Sequence, residues 1–212
     1  MRGASEPIAV IMMVGLTIIL GLLLLSFFNS SYIKVSSERG KLEYINSVKT
    51  SLDVIVVYSN SSRDSYSYVL NILNIGPSRL TFWVAFGVGG IRDPGVPVVT
   101  STDNIEVYTI KSYNGIIDLN ECPDNPIVCT QILGLLDSNN VYTPDEIKLT
   151  ELGTQTKVKL KGFKRIELNS RESKLLYVKI NKPLEYSEWP LILIMGNYNE
   201  RYYVISAYKL PR

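Results

Sequence analysis

The residues best equipped for chemistry are few. Cys122 and Cys129 enclose Pro-Asp-Asn-Pro-Ile-Val, a short, proline-stiffened loop that favours closure into a disulfide. Zinc is the competing use of the pair, but with no histidine in the chain a tetrahedral site would need two carboxylates as well, so no metal site is expected. The lack of histidine also removes the common Ser-His-Asp and Cys-His arrangements and the usual neutral-pH proton carrier. Ser31-Tyr32-Ile33-Lys34 matches Ser-x-x-Lys without its companion motifs. Gly87-Val88-Gly89-Gly90 lacks the third glycine of a dinucleotide loop and reads as a hairpin turn. Asp137-Ser138-Asn139-Asn140-Val141 begins like a calcium loop and fails at the valine. No catalytic residue is nominated, no cofactor is expected, and the chain reads as something other than an enzyme; a membrane-tethered enzyme is the least favoured of the readings. Asn29-Ser30-Ser31 and Asn60-Ser61-Ser62 are glycosylation sequons, which together with the cysteine pair suit an extracellular surface.

The element that must position all of this is the beginning of the chain. Pro7 to Phe28 carries no charged side chain. As a helix it would span about 33 Å, enough for the roughly 30 Å hydrocarbon core of a bilayer. The apolar run starts almost at once, and no small-residue cleavage site follows it, so it is expected to stay with the mature protein. Beyond Phe28, Val35, Leu42, Ile45, Val48, Leu52 and Ile55 recur at near-helical steps, with Lys34, Glu38, Arg39, Lys41, Glu43 and Lys49 between them. This spacing predicts one helix from about Ser5 to the mid-fifties, with Gly40 as its weakest point.

Arg2-Gly3, followed by Ala4-Ser5-Glu6-Pro7-Ile8 and a long apolar helix, resembles the class III signal of archaeal type IV pilins. The resemblance covers roughly the first fifty-five residues. It implies that a class III signal peptidase cuts between Gly3 and Ala4, leaving the helix as the mature N-terminus. It also implies a subunit that waits in the membrane and then polymerises into a helical filament of identical copies, with a β-rich head on a helical stalk. The filament core would be formed by Glu6, Pro7, Ile8, Val10, Ile11, Val14, Ile18, Leu22, Leu25 and Phe28. Bacterial type IV pilins carry their glutamate two residues further along the mature helix than Glu6. One helix can serve lipid and fibre core alike, because lipid tails and packed aliphatic side chains are similarly apolar.

At 212 residues and 46% hydrophobic, the chain has room for residues 1–3 as a signal, 4–57 as the helix and 58–212 as one head domain. A net charge of +2 excludes a broad nucleic-acid footprint. A count of flanking Lys and Arg would not place the head outside, so its extracellular location rests on the sequons and cysteines. From Ser59 onward the periodicity changes: residues 59–65 are expected as a polar linker, followed by short runs rich in Val, Ile, Tyr and Phe. Strands are predicted at 66–75, 80–88, 96–100, 105–110, 158–160, 174–180, 191–195 and 202–208, with Gly/Pro/Asn turns between them. The fold class is therefore α+β, a long helix followed by a mainly antiparallel sandwich or barrel-like head. Thr143-Pro144-Asp145-Glu146 predicts a short helix ending near Gly153. The fourteen tyrosines, crowded towards the end, serve strand packing, and any exposed ones would suit subunit contacts or adhesion. An uncut, membrane-anchored protein whose head binds a surface-layer or motor component is the alternative to the filament.

Overall fold

The computed structural model describes residues 5–92, 95–111, 119, 122, 125, 127–152 and 158–212. The signal residues Arg2, Gly3 and Ala4, the Asn114-Gly115 turn and Gly153 lie outside these. A single helix, α1, runs from Ser5 to Ser51. Its sequence explains its length: Leu, Ile and Met dominate the first half, charged straight-chain residues the second, and no proline follows Pro7 within it. Gly40 does not break it.

The expectation that the helix continues through residue 57 is corrected. Leu52–Ser61 is a strand, β1, paired antiparallel with β2 (Tyr66–Asn74). Val54-Ile55-Val56-Val57-Tyr58 is a β-branched and aromatic run, which loses side-chain freedom in a helix and gains packing in a sheet. The chain leaves the helix where the Ser51 carbonyl accepts the Ile75 N–H at 2.8 Å. Polar residues 59–65, expected as a linker, are instead the end of β1 and a hairpin turn closed by Ser62 N–H to Ser65 O at 2.8 Å. The compact head accordingly begins at Ile45, not at residue 58: the chain divides into Met1–Tyr44 and Ile45–Arg212. Ile45, Val48 and Leu52 are buried within the second unit.

The remaining strands are β3 (Leu80–Arg92), β4 (Val96–Ser101), β5 (Ile105–Ile110), β6 (Cys129–Gln131), β7 (Leu135–Asp137), β8 (Val141–Tyr142), β9 (Lys159–Leu168), β10 (Ser173–Ile180), β11 (Trp189–Tyr198) and β12 (Arg201–Lys209). They form a five-stranded sheet in the order β1-β2-β10-β5-β6 and a seven-stranded one in the order β7-β9-β3-β11-β12-β8, with β4 added along β3. Every pairing is antiparallel except β8 with β12.

Alternation sends Tyr68, Leu70 and Ile72 of β2 and Leu176, Val178 and Ile180 of β10 to one face, all buried. Phe82, Val84 and Phe86 of β3 and Ile192 and Ile194 of β11 do the same in the second sheet. The two faces meet at Gly162, where a Cβ would lie 2.5 Å from Val107 Cγ2 and 3.0 Å from the Phe86 ring; its φ of +68° also suits glycine alone. The outer faces are covered too. Leu191, Leu193 and Met195 pack with Ala85, Val141 and Leu160 on one side. Val69, Tyr108, Ile110 and Tyr177 pack under Cys122, Val128 and Cys129 on the other.

The helix expected after Thr143 does not form. Glu146 takes φ +64°, outside the helical range, and its N–H closes a turn on the Thr143 carbonyl at 2.9 Å. A 3-10 turn, Leu149–Leu152, stands in its place.

Candidate assembly helix and head surface

Backbone first: residues 5–9 belong to α1, so Glu6, Pro7 and Ile8 lie in its first turn, although their side chains fall outside the described ones. From there the apolar side chains are exposed on every side. Val10, Ile11, Val14, Ile18, Leu22, Leu25 and Phe28 are each more than half exposed, and so are the residues between them such as Met13, Leu23 and Phe27. The most apolar eighteen-residue window of α1 has a mean hydropathy of 2.7, and none of those residues is buried within the chain. It is the one helix among the described residues long and apolar enough to cross a membrane. Gly15 and Gly21 have open space where a Cβ would stand, and Thr17 donates its hydroxyl to the Met13 carbonyl at 2.8 Å, pairing the polar group within the helix. Past Phe28 the polar face begins, with Arg39 and Glu43 paired one turn apart at 2.8 Å.

Cys122 and Cys129 form a disulfide, with Cα atoms 5.7 Å apart and both residues buried. The bond lies over Tyr108 and Tyr177, whose rings are 5.9 Å apart, so it pins a cover onto the outer face of the five-stranded sheet. Both sequon asparagines are exposed. They differ in setting: Asn29 lies inside α1, one residue past the apolar run, whereas Asn60 stands at the end of β1 beside the hairpin turn. Of the late aromatic residues, Tyr203 is buried, Trp189, Tyr198, Tyr202 and Tyr208 are half-buried, and Tyr186 is 96% exposed. Tyr202 meets Phe163 and Trp83 edge-on at 5.2 and 5.7 Å, and Arg165 covers Trp83 at 5.8 Å. Most tyrosines therefore pack, as their alternation suggests.

Among the described residues, three titratable groups are shifted by their surroundings. Burial would raise the Glu188 carboxyl, but hydrogen bonds from the Thr100 hydroxyl (2.7 Å) and the Glu185 N–H (3.3 Å), with Lys182 at 3.7 Å, hold it below its ordinary range. Burial lowers the Lys164 ammonium, aided by the nearby charge of Lys174; it donates to the Thr109 hydroxyl at 3.2 Å across the two sheets. Burial pushes the Tyr68 phenol up, with Tyr66 adding to it, and the hydroxyl donates to the Pro211 carbonyl at 2.6 Å. Among the described residues no cluster of carboxylates and cysteines could hold a metal ion.

No protein-family model and no curated protein matches the chain. Among solved structures it is similar to the crystal structure of a β-glucosidase from Kluyveromyces marxianus in complex with glucose, at 12% identity and a TM-score of 0.23. That alignment covers 76% of this chain and spans about 14% of the enzyme's length, a likeness too low to carry any argument.

One residue escaped the sequence reading. Asn74, fully buried, donates its amide to the carbonyls of Ser78 (2.8 Å), Leu168 (3.2 Å) and Asn169 (3.0 Å) and accepts the Gly76 N–H at 2.9 Å. The only local signal was Asn two residues before Gly-Pro, a common turn pattern.

Proposed function

We propose that the chain is a pilin-like structural subunit, held in the membrane by α1 before assembly and built into an extracellular, archaeal type IV pilus-like filament afterwards. The observation that carries this reading is the exposed, apolar first half of α1. Lipid satisfies it in the waiting subunit, and identical helices satisfy it in a fibre core. The Arg2-Gly3-Ala4 junction supplies the processing step in this reading, and the sandwich-like head, closed by its disulfide, remains outside the cell for adhesion. The role is structural; no enzymatic step is assigned to it.

A chain left uncut and held singly in the membrane would satisfy the same helix with lipid alone, its head binding a surface-layer or motor component. Intact mass of protein released from cells separates the two. A chain beginning at Ala4, carrying added sugar mass, is the expected result; one beginning at Met1 and released only by detergent would reject the filament.

A further inference from the structure

Among the described residues the head has one long unguarded sheet edge. β1 ends the five-stranded sheet and spans ten residues, about 33 Å of extended chain, paired only with β2 among the described residues. The other end strands, β6, β7 and β8, have two or three residues each, and β4 carries Pro97 and is buried at its centre. From Val54 to Ser61 β1 has no charge and no proline, and its only interruption is a bulge at Val57. Soluble proteins protect such edges with lysines, prolines or short strands, because an exposed ladder of N–H and C=O groups recruits another strand. Here the edge is also apolar: Ile55, Val56, Val57 and Tyr58 are 43, 36, 60 and 45% exposed.

The opposite end of the same sheet is apolar as well. Ile127, two residues before β6, is 68% exposed, and at the corner where the chain passes from β6 to β7 of the other sheet Leu133 and Leu135 are 77 and 53% exposed. Leu133 and Leu135 border a groove of about 320 Å³ along the part of β5 that β6 leaves uncovered. These two edges hold seven of the ten exposed large hydrophobic side chains described in the head, Ile75, Ile147 and Tyr186 being the others. Two different apolar edges on one molecule can dock on each other, and such a contact propagates from copy to copy where a self-matching patch would close into a dimer.

We propose that β1 of one copy docks on the β6–β7 corner of the next, so that the five-stranded sheet continues from head to head. Strand direction agrees with this. Neighbours in the sheet are antiparallel at every step, so β1 and β6, four steps apart, run the same way. A second copy in the same orientation then brings its β1 alongside β6 in parallel, as a polar filament requires. The occupant is a second copy because in the filament reading α1 gathers copies together, and β1 follows α1 without a linker. The inference rests on the filament reading in that respect.

The test is cross-linking of the full chain displayed on cells, carrying Val57→Cys and Leu133→Cys, with a short bis-maleimide and a reducing gel. Retention of the native disulfide, checked by mass, confirms the fold of the variant. A ladder of dimers, trimers and higher multimers is expected from the double variant and none from either single one. Dimers from Val57→Cys alone would mean β1 pairs with β1 and would overturn the proposal. Fibres visible by negative stain without a ladder would overturn it and leave the filament standing; a ladder in membranes without fibres would uphold the head contact and remove the filament; neither would remove both. Independently, Val57→Lys should cut the cross-linked fraction of a partner pair at Ile55→Cys and Leu135→Cys severalfold, and Leu133→Glu should restore it. A cross-link indifferent to both charges would also overturn the contact.

Discussion

Asn74 shows how much one polar side chain can hold together. It bridges the end of β2, the following turn and the end of β9, using both amide atoms where no water reaches. Asn74→Ala leaves at least one buried backbone donor, the Gly76 N–H, unpaired, and should cost about 2–4 kcal/mol of head stability, measured by denaturant unfolding. Reducing Cys122–Cys129 should cost about 2–3 kcal/mol, from the freedom returned to the unfolded chain, and should loosen the cover over Tyr108 and Tyr177. Tyrosine fluorescence with and without reductant reads that change. Glu188 makes a pH-dependent contribution of defined sign. Its folded carboxyl titrates below the unfolded one, so the stabilisation is present above the usual carboxylate range and is lost as pH falls through the folded value. The gap in thermal stability between the native chain and Glu188→Gln should therefore be widest at neutral pH and shrink below about pH 4. Equal gaps at both ends of that range would contradict the assignment.

At the scale of elements, most of the head was legible because alternation is a local signal. The predicted strands at 66–75, 105–110, 174–180 and 202–208 fall within a residue of β2, β5, β10 and β12 for that reason, and 191–195 lies inside the longer β11. β6, β7 and β8 are too short to alternate, and they exist because longer strands offer them an edge. β1 was hidden by coincidence: Leu52 and Ile55 continue the helical spacing of Ile45 and Val48, although the β-branched run around them favours a strand. Asn74 was invisible because two of its partners lie 94 and 95 residues away. Gly162 marks another place where distance in sequence conceals a constraint. Gly162→Ala would press against Val107 at an unfavourable φ, and should cost more than the ~1 kcal/mol of an ordinary glycine replacement. An unchanged unfolding midpoint would show that the sheets can part there.

At the scale of the molecule, the sequence made plain a helix near the N-terminus long and apolar enough to cross a membrane, followed by a β-rich remainder. The whole-molecule prediction follows from the helix surface. Ile18 sits among exposed aliphatic residues on all sides, so Ile18→Lys sets a charge where both lipid and a fibre core are apolar. On an insertion scale the change costs about 3–4 kcal/mol at mid-membrane, and in a fibre the same loss recurs at every copy. The most direct measurement is negative-stain microscopy of material sheared from cells expressing either the native chain or Ile18→Lys. The account predicts fibres from the native chain, made of subunits that begin at Ala4, and none from the variant. Native cells that yield no fibres and keep a full-length chain in the membrane would contradict it.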